Sequence, residues 1–123
     1  MARNFLFIGA VSGCLTVVIG AFGAHSLKEL VTPEMLLVFQ KGVHYQGVHS
    51  LALLAVGLLA LHTRSTALTI SGWSFISGIL LFSGSLYLLV LTGVNPWGMV
   101  TPIGGTAFIV GWISLALAAR RIG

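Results

Sequence analysis

The chain has 123 residues, of which 57% are hydrophobic and only 7% are charged. A soluble globular domain carries about 25% charged residues. So few charges cannot cover the surface of a soluble domain of this size, and the mean hydropathy of +1.06 agrees. The composition excludes a soluble fold and predicts an integral membrane protein.

The charged residues divide the chain into charge-free runs at 4–27, 42–63 and 65–119. One membrane crossing takes about 20 apolar residues, so the first two runs each fit one crossing and the third fits two. Turn-forming residues at 93–98 divide the third run. The runs are continuous rather than alternating, which rejects a β-barrel. We therefore predict an all-α membrane protein, a single domain over residues 1–123 with four transmembrane helices in a compact bundle. The predicted spans are about 5–24, 43–62, 68–92 and 102–119.

The segment 25–42, between the first two spans, is the only sizeable polar stretch. Its Thr32-Pro33-Glu34 triplet is typical of a helix start, with a capping hydroxyl, a proline in the first turn and an early acid. We expect a short amphipathic segment lying at the outer interface, separated from the second span by a break at Gly42. The alternative is that this segment extends the second span as one long helix.

The positions of the basic residues predict the orientation. Four spans place four arginines on the side of the termini, and two lysines, offset by two glutamates, on the other side. This imbalance predicts a multi-pass protein of the cytoplasmic (inner) membrane with both termini cytoplasmic. The basic residues are too scattered for nucleic-acid binding. The partners that we expect are the lipid bilayer and either further copies of the chain or a larger membrane complex.

Small residues recur at intervals of four and seven along the first, third and fourth spans. Such stripes allow helix backbones to approach closely in a membrane, where no hydrophobic force drives helix association. The predicted helix-packing positions are Gly9, Gly13, Gly20, Gly78, Gly104 and Gly111.

One histidine lies deep within a predicted span. His49 is three to four residues from the middle of the second span, roughly 5 Å from the midplane. Tyr45 and Gln46 precede it by four and three residues, so they share its helix face. The directions of the other spans bring further polar residues into the same outer half of the bundle. The candidate polar cluster consists of His25, Tyr45, Gln46, His49, Ser83, Ser85 and Tyr87.

An ionisable side chain inside a membrane span is a functional hypothesis by default. The favoured hypothesis is a structural, assembly or accessory membrane subunit in which the cluster fixes helix packing. The alternative is a small-solute or proton-linked transport or binding protein with an outward-facing polar pocket around His49. Haem would need His25 opposite His49, and zinc would lack further ligands, so no cofactor and no metal are expected. No nucleophile–base–acid set or paired carboxylates occur, so neither catalytic residues nor an enzyme are expected.

Three motifs occur in order at suitable distances: GAFGAH at 20–25, FSGSLY at 82–87 and TPIGG at 101–105. Over essentially its whole length the chain resembles the YgdD/YwdK-like family of small bacterial inner-membrane proteins of unknown function, which has eukaryotic relatives. The resemblance implies an integral membrane protein with several helices and no assigned reaction. Matched residue by residue, it carries over the seven members of the candidate polar cluster.

Overall fold

The computed structural model describes residues 1–122, which are helical apart from short connections. Four helices are long and apolar enough to cross a membrane. They are α1 (Ala2–Leu27), α2 (Pro33–Ala60), α3 (Thr66–Thr92) and α4 (Trp97–Arg120). This confirms the predicted four-span, all-α architecture, although each helix begins earlier than its predicted span.

Local sequence signals explain where the helices begin and end. The Thr32 hydroxyl accepts a hydrogen bond from the Met35 amide at 3.2 Å, so Thr32 caps α2 as its sequence predicts. The Ser65 hydroxyl caps α3 in the same way, because it accepts a hydrogen bond from the Leu68 amide at 3.4 Å. Gly93 ends α3 with a φ of 69°, a left-handed conformation that glycine adopts without strain.

The expected break at Gly42 is wrong, because α2 runs unbroken from Pro33 to Ala60. The polar segment is therefore no separate interfacial helix but the first part of α2. Gly42 instead allows α2 and α3 to pack closely, because a Cβ atom at this position would lie 2.8 Å from the Tyr87 ring. The Gly42 carbonyl also accepts a hydrogen bond from the Ser83 hydroxyl at 2.7 Å. The 28-residue helix is about 42 Å long, so its first turns extend beyond a hydrocarbon core of about 30 Å.

The helices pack mainly in chain order. α1 packs along α2, α2 against α3, and α3 along α4. The central pair is therefore α2 and α3, with α1 and α4 as flanking helices. Because the helices alternate in direction, the bundle has an arginine end, formed by residues 1–3, 61–65 and 120–122, and a loop end, formed by residues 28–32 and 93–96.

The largest fully buried side chains form an apolar core that lies toward the arginine end. They are Phe5, Leu53, Val56, Leu68 and Phe75. Buried hydrogen-bonded side chains lie on both sides of the middle of the bundle. Ser83 and Ser85 lie toward the loop end, whereas Ser71, whose hydroxyl donates to the Gly111 carbonyl at 2.7 Å, lies toward the arginine end. The buried polar side chains are therefore not confined to the outer half of the bundle.

Two helices contain a wide π turn, at Ile19–Gly23 in α1 and at Ile79–Ser83 in α3. Such a turn adds a residue to the helix and rotates the residues beyond it, and π turns are frequent at functional sites. The turn in α3 ends at Ser83, which is fully buried and hydrogen-bonds to α2. The hydrophobicity pattern contains no signal for either turn.

Five of the six predicted packing glycines contact a neighbouring helix, and Gly13 does not. A Cβ atom added to Gly13 would meet nothing within 4 Å, whereas one added to Gly9 would lie 3.0 Å from Leu54. Four residues rotate a helix position by about 40°, which is enough to turn Gly13 away from α2. Gly13 therefore packs against no helix among the described residues of this chain. The remaining four, which lie against α2, α4 or α3, are Gly20, Gly78, Gly104 and Gly111.

Candidate functional site

The candidate cluster is not one site, because its two central members belong to separate networks. Gln46 faces α1 and Tyr87 of α3, whereas His49 faces α4. The two residues are three apart in α2, which rotates their directions by about 60°. No hydrogen bond joins their side chains among the described residues.

The first network is centred on the buried amide of Gln46. Its Nε2 donates to the Ser12 carbonyl of α1 at 3.1 Å, and its Oε1 accepts from the Tyr87 hydroxyl of α3 at 2.6 Å. The Ser50 hydroxyl lies 2.6 Å from both the Ser12 hydroxyl and the Gln46 carbonyl. These bonds connect α1, α2 and α3 through side chains that lipid cannot satisfy.

The second network is centred on the imidazole of His49, which is 4% exposed. Its Nε2 lies 3.0 Å from the Trp112 indole nitrogen, and its Nδ1 lies 2.7 Å from the Tyr45 carbonyl. An indole N–H can only donate, so Nε2 accepts and carries no proton. Nδ1 then carries the proton and donates to the carbonyl. The geometry therefore matches one species, the neutral Nδ1–H tautomer.

Aromatic rings enclose the imidazole. His49 stacks on Phe108 with ring centroids 3.6 Å apart and an angle of 11° between the planes. The Trp112 ring stands edge-on at 5.8 Å, and Phe75 lies at 5.6 Å. These contacts bring α4 against α2 and α3. The imidazole is therefore packed against aromatic rings from both α3 and α4.

The remaining predicted serines join further helix pairs. Ser83 donates to the Gly42 carbonyl of α2 at 2.7 Å. The hydroxyl of Ser85 lies 2.6 Å from the hydroxyl of Thr101 in α4. Both serines are buried, so each acts as an interhelical hydrogen-bonding group.

His25 does not join either network. It lies in the last turn of α1, its side chain is exposed, and among residues 1–122 it makes no hydrogen bond or ring contact with the other candidates. The expectation that it faces the cluster is wrong. α1 packs on α2 from the side away from α4, so the end of α1 is remote from the His49 face.

Sequence reasoning missed the site roles of Ser12, Ser50, Thr101, Phe108 and Trp112. Ser12 belongs to a small-residue stripe, and Ser50 directly follows His49, so both carried weak signals. Thr101, Phe108 and Trp112 of α4 carried no such sequence signal, because a helix that is apolar on every face does not reveal which face points inward.

Grooves run along the sides of the bundle, and two of them are lined by residues of the two networks. One, of about 430 Å³, lies between α1 and α3, with apolar walls and with Ser12 and Gln46 among its lining residues. The other, of about 450 Å³, lies between α2 and α4 and is largely lined by aromatic rings. Both grooves open on the flanks of the helices, the surfaces that a membrane-spanning bundle presents to lipid.

Comparison with known proteins agrees with this architecture. Residues 19–105 match the model of the family DUF423, whose description is "Protein of unknown function". The chain is 45% identical to the UPF0382 membrane protein SAB0533 of Staphylococcus aureus (strain bovine RF122 / ET3-1), with 97% of each chain covered. It is 42% identical to the UPF0382 membrane protein YwdK of Bacillus subtilis (strain 168), over 97% of this chain and 98% of the relative.

A UPF0382 membrane protein of Haemophilus influenzae is 45% identical, over 98% of this chain and 97% of the relative. No solved structure matches the chain. These relatives confirm the resemblance drawn from the three sequence motifs and the assignment to a membrane. The chain therefore belongs to the DUF423 family of membrane proteins.

Proposed function

We propose that this membrane protein has a structural or assembly role, as an accessory subunit or as a homo-oligomer. The supporting observation is that polar side chains link α1 to α2, α2 to α3, α3 to α4 and α2 to α4. Every buried side-chain nitrogen and oxygen in the described residues has a hydrogen-bond partner. The polar groups thus serve to hold the helices together.

The surroundings of His49 favour this role over transport. A carrier centred on His49 needs a route by which water or a solute reaches the imidazole. Both ring nitrogens bond within the bundle and the side chain is 4% exposed. The alternative of small-solute or proton-linked transport would require the bond to Trp112 to open. Because both ring nitrogens are already bonded within the bundle, the geometry supports a packing role for this histidine.

The proposal includes no enzymatic reaction. A histidine that activates a nucleophile must lie within hydrogen-bond reach of a hydroxyl or thiol. His49 bonds instead to an indole and a backbone carbonyl. Ser50, the adjacent hydroxyl in sequence, points into the Gln46 network.

The proposal places the chain in the cytoplasmic (inner) membrane with the arginine end in the cytoplasm. Arg64 and Arg121 line one cavity at that end, and Arg64 lines a second cavity together with Met1 and Ala2. The loop end carries Lys28 and, on the first turns of α2, Lys41. Excess arginine and lysine favours the cytoplasmic side.

The test is to replace the central residue of each network, Gln46 or His49, and to measure both the stability and the assembly of the protein. We expect His49→Ala and Gln46→Leu to lower the unfolding temperature of the full chain in mild detergent or to change its native oligomeric mass. Gln40→Leu, at an exposed position of the same helix, is the matched control and should change neither. If both His49→Ala and Gln46→Leu keep the wild-type unfolding temperature and oligomeric mass, the packing role is wrong.

A further inference from the structure

The groove between α2 and α4 has the dimensions of a ligand site. Its volume is about 450 Å³, within the range of about 300–1,000 Å³ that is typical of small-molecule pockets. We call it the aromatic groove, because four aromatic side chains and an imidazole belong to its lining. Its lining includes Tyr45, His49, Phe82, Gly105, Phe108 and Trp112.

The rings in the aromatic groove come from three helices and are already arranged in layers. Tyr45 of α2 lies 4.6 Å from Phe82 of α3, measured between ring centroids. Tyr45 and Phe108 of α4 lie 6.2 Å apart with an angle of only 16° between their planes. Flat aromatic surfaces favour offset stacking or edge contacts with another planar ring. A flexible acyl chain can make dispersion contacts with these rings but cannot stack on them as a planar ring does.

Tyr45 also offers a hydrogen bond that the protein does not use. Its side chain is 38% exposed, and its hydroxyl bonds to no side chain or carbonyl in residues 1–122, whereas the Tyr87 hydroxyl bonds to Gln46. A hydroxyl placed in an apolar medium without a partner is costly. A phenol donates readily to an oxygen acceptor, so a ligand that brings one would satisfy this group.

Gly105 keeps the groove wide. A Cβ atom added there would touch only the Phe82 ring, at 3.8 and 3.9 Å. A larger side chain at this position would therefore enter the groove and not the packed interface between helices. The missing side chain leaves space for a ligand ring beside Phe82.

We propose that the aromatic groove binds a planar, lipid-soluble ring compound that carries a carbonyl oxygen. The ring lies against Phe82 and Phe108, and the oxygen accepts a hydrogen bond from Tyr45. The ligand enters sideways from the bilayer, because the groove opens on the flank of the bundle. This binding role goes beyond the proposed structural function and does not depend on it.

The experiment uses duroquinone, a fully methylated benzoquinone, as the probe and Trp112 as the reporter. Substituting Trp73→Phe and Trp97→Phe in the full chain leaves Trp112, which lines the groove, as the single tryptophan. We expect duroquinone to quench its fluorescence saturably in detergent solution. Durene, which has the same methylated ring without carbonyls, should compete more weakly.

Three variants in this background test the site. Gly105→Leu fills the groove and should weaken duroquinone binding by at least about tenfold. Gly84→Leu adds the same side chain to α3 beside the other groove, where a Cβ atom meets nothing within 4 Å, and should leave binding unchanged. Tyr45→Phe keeps the ring but removes the hydroxyl. It should weaken duroquinone binding roughly two- to tenfold while leaving the affinity for durene unchanged.

The unfolding temperature of each variant shows whether it still folds. Non-saturable quenching, or equal quenching in Gly105→Leu and Gly84→Leu, would mean that the probe merely partitions into detergent and would overturn the proposal. Equal affinities for duroquinone and durene in the unsubstituted groove would overturn the role of Tyr45 and the choice of a carbonyl ligand.

Discussion

The indole nitrogen of Trp112 donates a hydrogen bond to Nε2 of His49 across 3.0 Å. Together with the stacking of His49 on Phe108, this bond joins the flanking helix α4 to the central helix α2, although the backbones of these two helices are not in close contact. It also makes Nε2 of the buried His49 a hydrogen-bond acceptor, so that Nδ1 is the nitrogen that carries the proton and donates. The position of α4 and the protonation pattern of His49 are thus coupled.

The first prediction concerns the tautomer of His49. Because Trp112 can only donate, we expect the proton to reside on Nδ1. Nitrogen-15 NMR of histidine-labelled full chain in lipid should show one protected neutral histidine of the Nδ1–H form. The signal should change in Trp112→Phe. An Nε2–H form for His49 in the wild-type chain would contradict the geometry.

The second prediction concerns the energy of the same bond. Trp112→Phe keeps an aromatic ring beside His49 but leaves the buried Nε2 without its donor. We expect the free energy of unfolding to fall by about 1–3 kcal/mol, as measured by denaturant titration in detergent. Trp97→Phe, at the first and partly exposed position of α4, is the control and should have little effect.

The third prediction concerns the link between Gln46 and Tyr87, whose side chains meet at 2.6 Å. Gln46→Leu and Tyr87→Phe should each destabilise the chain, and the double variant should cost less than their sum. The expected coupling is about 0.6–1.7 kcal/mol, the range for hydrogen bonds between helices in membranes. Strict additivity in the double-mutant cycle would mean that the bond contributes nothing.

The fourth prediction compares two glycines. At Gly104 a Cβ atom would lie 2.7 Å from backbone atoms of Leu81 and Phe82, which cannot move independently of α3. Gly104→Ala should therefore separate α3 from α4 and destabilise the chain by about 1–3 kcal/mol. Gly84→Ala meets nothing within 4 Å and should be neutral or stabilising by up to about 1 kcal/mol. Thermal unfolding in detergent measures both, and equal effects would argue against close packing at Gly104.

The fifth prediction concerns orientation. A reporter that is active only in the cytoplasm should be active when fused after Gly123, because the four arginines lie at the end that carries both termini. The same reporter inserted in the loop at 93–96 should be inactive. The reverse pattern would overturn the proposed orientation.

Within the candidate site, the sequence identified several residues but not their partners. The depth of His49 followed from its position within the second predicted span. Its shared helix face with Tyr45 and Gln46 followed from helical periodicity. The partner Trp112 did not, because its facing depends on how α4 is rotated about its own axis. His25 was misplaced for a related reason: nothing in the sequence shows that α1 lies on the far side of α2 from α4.

The sequence by itself determined the membrane environment, the number of helices and the N-terminal cap of α2, because composition, charge spacing and local hydrogen bonding are properties of the chain. Only the tertiary structure decided the rotation of each helix, the unbroken course of α2 through Gly42 and the division of the polar residues into two networks. The physical reason is that lipid and protein core are both apolar. A hydrophobic pattern therefore cannot distinguish the two faces of these helices, and close packing with interhelical hydrogen bonds makes the choice.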